Sequence, residues 1–285
     1  MTAVAVVGIG AMGGRVARRL LDDGHEVLIW NRTPDKMAQL TDLGAVAVES
    51  PADAGRRADA VITMVSDPVA LRAVTEGPTG VAAGVGGSTA VIEMSTVGPA
   101  AVSRLASVLA GTGLLDAPVL GSLSEAESGT LKIFVGGPAA LLERWTPLLS
   151  AVGSPIHVGP LGAGSAAKLV AKVTLFGVLG VLGEALALAD GLGLSRDAAF
   201  NVLANTPLAA QAERRRPAVE SGDYSARFSL SLARKDVDLI VDAATASGVD
   251  LRVGAAAGTW LADADDAGWG DKDYSAVLAW ILRNR

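Results

Sequence analysis

The segment Gly8-Ile9-Gly10-Ala11-Met12-Gly13 follows an apolar run, Ala3–Gly8, and opens an amphipathic stretch, Ala11–Leu21. Glycines at this spacing, between a strand and a helix, suit a dinucleotide. Gly8 permits a tight turn, Gly10 lets backbone approach a pyrophosphate, and Gly13 allows close contact between helix and strand. Ala11 and Met12 begin the helix whose unpaired N–H groups and positive dipole end face the phosphates. A second candidate lies further on, in Gly162-Ala163-Gly164-Ser165-Ala166-Ala167-Lys168. It places one lysine in the first turn of a very apolar helix. A charged lysine is costly to bury, so Lys168 either serves chemistry at a cleft or snorkels from the helix start.

The run Glu26–Trp30 ends in Asn31-Arg32-Thr33. Where a carboxylate would hold the ribose 2′-OH of NAD, about 20 residues past the glycines, there is none. Arg32, with the small polar Asn31 and Thr33, suits a 2′-phosphate instead. The expected cofactor is therefore NADP(H), with NAD(H) second.

The elements that position these groups alternate. Apolar runs at Ala3–Gly8, Glu26–Trp30, Ala60–Met64, Ala90–Met94, Leu114–Ala117, Leu131–Val135 and Pro155–Val158 read as strands. Helical patterns such as Ala11–Leu21, Pro68–Val74 and Pro99–Leu109 lie between the early ones. Alternation predicts an α/β fold, a Rossmann-like doubly wound and mainly parallel sheet with both faces covered. The glycine-rich joint Gly159–Gly164 marks a change of character. Beyond it a single apolar helix from Ser165 to about Leu192 is predicted, then helices at Ser195–Leu203, Leu230–Ser247, Leu251–Ala264 and Tyr274–Ile281. The expected domains are residues 1–162, binding NADP, and residues 163–285, all-helical.

Composition narrows the partners. The 285 residues carry 24 Lys+Arg and 30 Asp+Glu, a net charge of −6, which disfavours nucleic acid and anionic membranes. There is no cysteine and there are only two histidines, so no metal site is expected. The apolar stretch Val173–Gly183 falls short of the ~20 residues that cross a bilayer. The N-terminal run lacks a basic leader, and a cytoplasmic protein is expected. An apolar helix of this kind favours association, as a homodimer or homotetramer.

Several further motifs recur in order: Met94-Ser95-Thr96-Val97-Gly98-Pro99, Asp116-Ala117-Pro118-Val119-Leu120-Gly121-Ser122, Gly129-Thr130-Leu131, Lys235-Asp236 and Gly270–Ala276. With the glycine loop, Trp30–Thr33 and the Lys168 segment, they make the chain resemble the β-hydroxyacid dehydrogenases along nearly its whole length. That group includes 3-hydroxyisobutyrate dehydrogenase and the glyoxylate/succinic semialdehyde reductases. The resemblance implies hydride transfer between NADP(H) and a small β-hydroxyacid or semialdehyde. It implies Lys168 as general acid/base, a role that suits a partly buried amine. It also implies Ser95 and Thr96 beside nicotinamide and substrate, Val65 and Ser66 at the cofactor, and Lys235 on the cofactor or substrate side.

Two positions depart from the family pattern. The substrate loop, usually Ser-Gly-Gly, reads Leu120-Gly121-Ser122, which removes a hydroxyl and favours a less polar substrate group. Gly121, Ser122 and the loop N–H groups remain a candidate anion site. Lys172 stands where the family has Asn, one helical turn from Lys168. It is expected to lower the Lys168 pKa, to pair with an anionic substrate, or to turn outward to solvent. Imine reductases share the glycine and Asn-Arg-Thr patterns but typically lack the lysine. Lys168 therefore favours carbonyl chemistry over imine reduction, and over a catalytically silent NADP(H)-binding module.

Overall fold

The computed structural model describes residues 2–284, which divide into two compact units between Lys168 and Leu169. The first unit is built on nine strands: β1 (Ala3–Val7), β2 (Glu26–Trp30), β3 (Val46–Ala47), β4 (Ala60–Thr63), β5 (Ala90–Glu93), β6 (Gly113–Asp116), β7 (Val119–Leu120), β8 (Leu131–Gly136) and β9 (Gly153–Gly159). Their order is β3-β2-β1-β4-β5-β6-β8-β7, with β9 on β8. The six strands from β3 to β6 run parallel; β8 is antiparallel to β6 and β7. The chain winds outward from β1 in one direction and from β4 in the other. A switch point therefore opens at their carboxyl ends, where such sheets bind ligands.

Seven helices belong to this unit: α1 (Ala11–Asp22), α2 (Ala38–Thr41), α3 (Pro51–Arg57), α4 (Pro68–Thr75), α5 (Gly98–Val108), α6 (Leu123–Ser128) and α7 (Ala139–Val152). The strands are apolar at nearly every position because both faces are covered. Val4, Val6, Ile29 and Ile62 pack with Val16 and Leu20 of α1 and Leu148 of α7. Ala5, Val7, Leu28 and Val61 turn the other way, onto Leu71, Val74, Val102 and Leu105. The alternation follows from the two-residue period of a strand.

Helix α8 (Ala163–Gly191) begins in the first unit and continues into the second, which also holds α9 (Arg196–Leu203), α10 (Ala209–Ser221), α11 (Leu230–Ala246), α12 (Arg252–Ala264) and α13 (Val277–Arg283). Ser195 caps α9 as its sequence predicts, accepting from Ala198 N–H. At 29 residues α8 is long and apolar enough to cross a membrane by length and composition, longer than the Val173–Gly183 run suggests. In the structure one face of it is packed in the core. Leu179, Leu182 and Leu186 pack with Phe200, Leu203 and Leu278. Val170, Val181 and Leu188 on it are exposed. The fold class expected from sequence, a Rossmann-like sheet followed by helices, is the one observed.

Candidate functional site

The glycine loop has the shape its residue types require. Gly8 has φ +109°, and a Cβ there would lie 2.3 Å from Met64 O. A Cβ on Gly13 would lie 2.0 Å from Gly8 O, so helix α1 sits against the turn only because that position is bare. A Cβ on Gly10 would meet nothing within 4 Å. Open space thus stands over the backbone at the one glycine expected to approach a pyrophosphate. No side chain caps α1, and its first turn, from Ala11 and Met12, carries no acid. These features fit a dinucleotide.

Asn31 holds this loop in place. Its Oδ1 accepts from Ile9 N–H at 3.0 Å, and its Nδ2 donates to Thr33 O at 2.9 Å. The amide expected to meet a phosphate therefore also ties the glycine turn to the end of β2. Arg32 and Thr33 are exposed beside it.

At the next strand ends, Val65 N–H donates to Ser95 Oγ at 2.9 Å, linking the segments that follow β4 and β5. Beneath them lies Glu93, 1% exposed. Its carboxyl accepts from Thr63 Oγ1 at 2.7 Å, Ser95 N–H at 2.6 Å and Ser95 Oγ at 3.3 Å. Burial outweighs these donors and pushes its pKa up to about 7. Ser66 donates to Asp67, which caps α4 through Ala70 N–H. Thr96 follows Ser95 and is half-buried.

The start of α8 is clamped by a second buried acid. Asp116 ends β6 and accepts from Gly162 N–H at 3.0 Å, Ser165 N–H at 2.7 Å and Ser165 Oγ at 3.2 Å. Gly136 and Gly164 make room for it: a Cβ on Gly136 would reach 2.3 Å from Asp116 Oδ1, and one on Gly164 2.3 Å from Asp116 O. Burial raises this carboxyl above its ordinary pKa despite the three donors. One turn along the clamped helix, Lys168 is 6% exposed, and its Nζ donates to Val119 O at 2.5 Å. Lys168 is thereby set beside the Leu120-Gly121-Ser122 loop. Ser122 caps α6 in a reciprocal arrangement with Glu125.

Lys172 and Lys235 lie in the second unit. Lys172 is 7% exposed, so the outward-turned arrangement is not adopted. Its Nζ pairs with Asp236 Oδ2 at 2.8 Å and lies 3.9 Å from the Phe228 ring centroid. Lys235 Nζ takes the other carboxylate oxygen at 2.7 Å. Glu93, Asp116, Glu125 and Asp236 carry this architecture, yet the sequence reading assigned none of them a role. Glu93 and Asp116 left a signal, each being an acid that terminates an apolar strand.

Residues 3–162 match the family described as the NAD binding domain of 6-phosphogluconate dehydrogenase. Residues 162–281 match the one described as NAD-binding of NADP-dependent 3-hydroxyisobutyrate dehydrogenase. The chain is 34% identical to a 3-sulfolactaldehyde reductase of Escherichia coli, covering 98% of this chain and 95% of that protein. It is 31% identical to glyoxylate/succinic semialdehyde reductase 1 of Arabidopsis thaliana, over 99% of both. The structure of Mycobacterium tuberculosis 3-hydroxyisobutyrate dehydrogenase with L-serine superimposes with a TM-score of 0.88 at 30% identity, covering 98% of each chain.

Proposed function

The chain belongs to the 3-hydroxyisobutyrate dehydrogenase family of NAD(P)-binding oxidoreductases, and we propose from that premise that it reduces a small carbonyl compound of the β-hydroxyacid or semialdehyde type with NADPH. The observation that carries the reading is the buried Lys168 ammonium, anchored at Val119 O next to the loop that follows β7. Bound reduced nicotinamide supplies the hydride. Lys168 gives a proton to the carbonyl oxygen as hydride reaches the carbonyl carbon, leaving an alcohol and a neutral amine that takes its next proton from solvent. Asp116 fixes where that amine stands by holding the first turn of α8. Glu93 fixes Ser95, which lies at the strand ends where ligands of such sheets bind. Gly8, Gly10 and Gly13 hold the pyrophosphate, and Arg32 supports the preference for the 2′-phosphate of NADP(H).

Exposed Val170, Val181 and Leu188 on α8 support association of copies of the chain, which a solution mass of 28.7 kDa would contradict. Incubation with NADPH and a panel of aldehydes, keto acids and cyclic imines, following loss of reduced nicotinamide, tests the reaction class. Lys168→Ala is expected to keep NADPH binding and to lower carbonyl reduction by about 10²–10⁴-fold. Turnover within about tenfold of wild type, less than such a catalyst contributes, removes Lys168 from proton transfer.

A further inference from the structure

The loop between β7 and α6 already holds a carboxylate of its own. Ser122 N–H donates to Glu125 Oε2 at 2.8 Å, the Ser122 hydroxyl donates to the same oxygen, and the Ser124 hydroxyl reaches it at 3.0 Å. Gly121 makes this possible. It has φ +148°, and a Cβ there would stand 2.6 Å from Leu131 Cδ2 and 3.0 Å from Glu125 Cβ. The bare position leaves room for the Glu125 side chain to fold back against the loop. The serine donors hold the Glu125 carboxyl down at about pKa 2, so it is charged at any working pH. Leu120, beside it, presents an apolar side chain that is 37% exposed.

We propose that Glu125 makes this loop exclude anions, so that the substrate meets Leu120–Ser122 with an uncharged group, an alkyl chain, ester or amide, rather than a carboxylate. The proposal rests on the reading above that the loop faces the substrate, and it narrows that substrate class to compounds whose acid is esterified, amidated or absent at this end. A carboxylate arriving there finds the Ser122 donors already engaged and meets a like charge. Juxtaposed like charges are a strong means of rejecting a wrong partner. Lys132, opposite Leu120 in the β7–β8 ladder, is exposed, and solvent screens its compensation. An uncharged group loses nothing to Glu125 and gains contact with Leu120.

The test compares 4-oxobutanoate with its methyl ester, matched in the aldehyde and in chain length. Wild type is expected to reduce the ester with kcat/KM about tenfold or more above the carboxylate. Glu125→Ala, which empties the loop, is expected to raise the carboxylate value about tenfold and leave the ester within about threefold. Glu125→Gln, which keeps the cap and loses the charge, moves the carboxylate value the same way. Equal use of both compounds by wild type, or an unchanged ratio in both variants, overturns the proposal. If wild type reduces neither aldehyde, the carbonyl reading of these compounds fails, and the loop is judged by calorimetric titration of acetate into the NADP⁺-loaded proteins. Acetate binding by Glu125→Ala and not by wild type upholds anion exclusion; identical behaviour of the two overturns it.

Discussion

Lys172 Nζ stands 2.8 Å from Asp236 Oδ2, and the two side chains are 9% and 2% exposed. With Lys235 on the other oxygen, one buried carboxylate lies between two ammonium groups. The charge that replaces the family's Asn thus arrives already paired. The roles set out for Lys172, tuning Lys168 or pairing an anionic substrate, would therefore fall to a lysine already bound to Asp236.

Lys172→Met keeps most of the stem over the Phe228 ring and deletes the charge. It leaves Asp236 with Lys235 alone, at a cost of about 1–3 kcal/mol, typical of an under-satisfied buried polar group. Urea unfolding of variant and wild type reads this directly. Unchanged stability would mean that the pair contributes nothing. A pH profile of kcat/KM shifted by the same variant would establish the tuning role.

Arg32→Ala is expected to raise KM for NADPH by about tenfold or more, the range of a charge-assisted hydrogen bond to a phosphate. The KM for NADH should hardly move, since that cofactor lacks the 2′-phosphate. Equal losses with both cofactors would mark Arg32 as a residue that shapes the turn after β2.

Glu93 makes stability depend on pH in a direction opposite to that of a salt-bridged acid. Its carboxyl keeps its proton to about pH 7 in the folded chain, against 4.5 ordinarily. The unfolded chain therefore releases a proton between those values that the folded chain retains, and stability falls as pH rises from 4.5 to 7. The loss is on the order of 3 kcal/mol. Glu93→Gln should flatten that slope, as thermal midpoints at pH 5 and pH 7.5 would show. Asp116 adds a slope of the same sign, and because its charge helps to raise Glu93 the variant changes that contribution as well. An identical slope in the variant would remove Glu93 as its source.

The sheet was legible because β1, β2, β4, β5 and β6 are buried on both faces and read as unbroken apolar runs. The two-residue strands β3 and β7 were not, since Val46–Ala47 and Val119–Leu120 are too short to carry a period. Helix α10 escaped because Glu213–Arg216 is charged throughout and Pro217 follows within the helix. At the site, the glycine loop and Lys168 stood out by residue type and spacing. Asp116 meets Ser165 from 49 positions away, and Glu93 meets Thr63 from 30. Such partners are set by strand order, which no local pattern encodes. Glu125 was close in sequence to Ser122, but its meaning depended on how the side chain folds back beside Gly121.

The grip of Asp116 on the turn before α8 also bears on where this chain can be cut. Gly159–Gly164 looks like a seam at which to separate the nucleotide-binding half for expression by itself. A fragment ending at Pro160 would retain all nine strands, yet it would lose Gly162 N–H, Ser165 N–H and Ser165 Oγ from a fully buried carboxylate. The cut would also strip away Gly164, Ser165 and the rest of the first turn of α8, which cover this carboxylate, and would open the carboxyl end of β6 to water. The minimal excisable piece of this protein is therefore longer than its last strand suggests, extending at least through the first turn of α8.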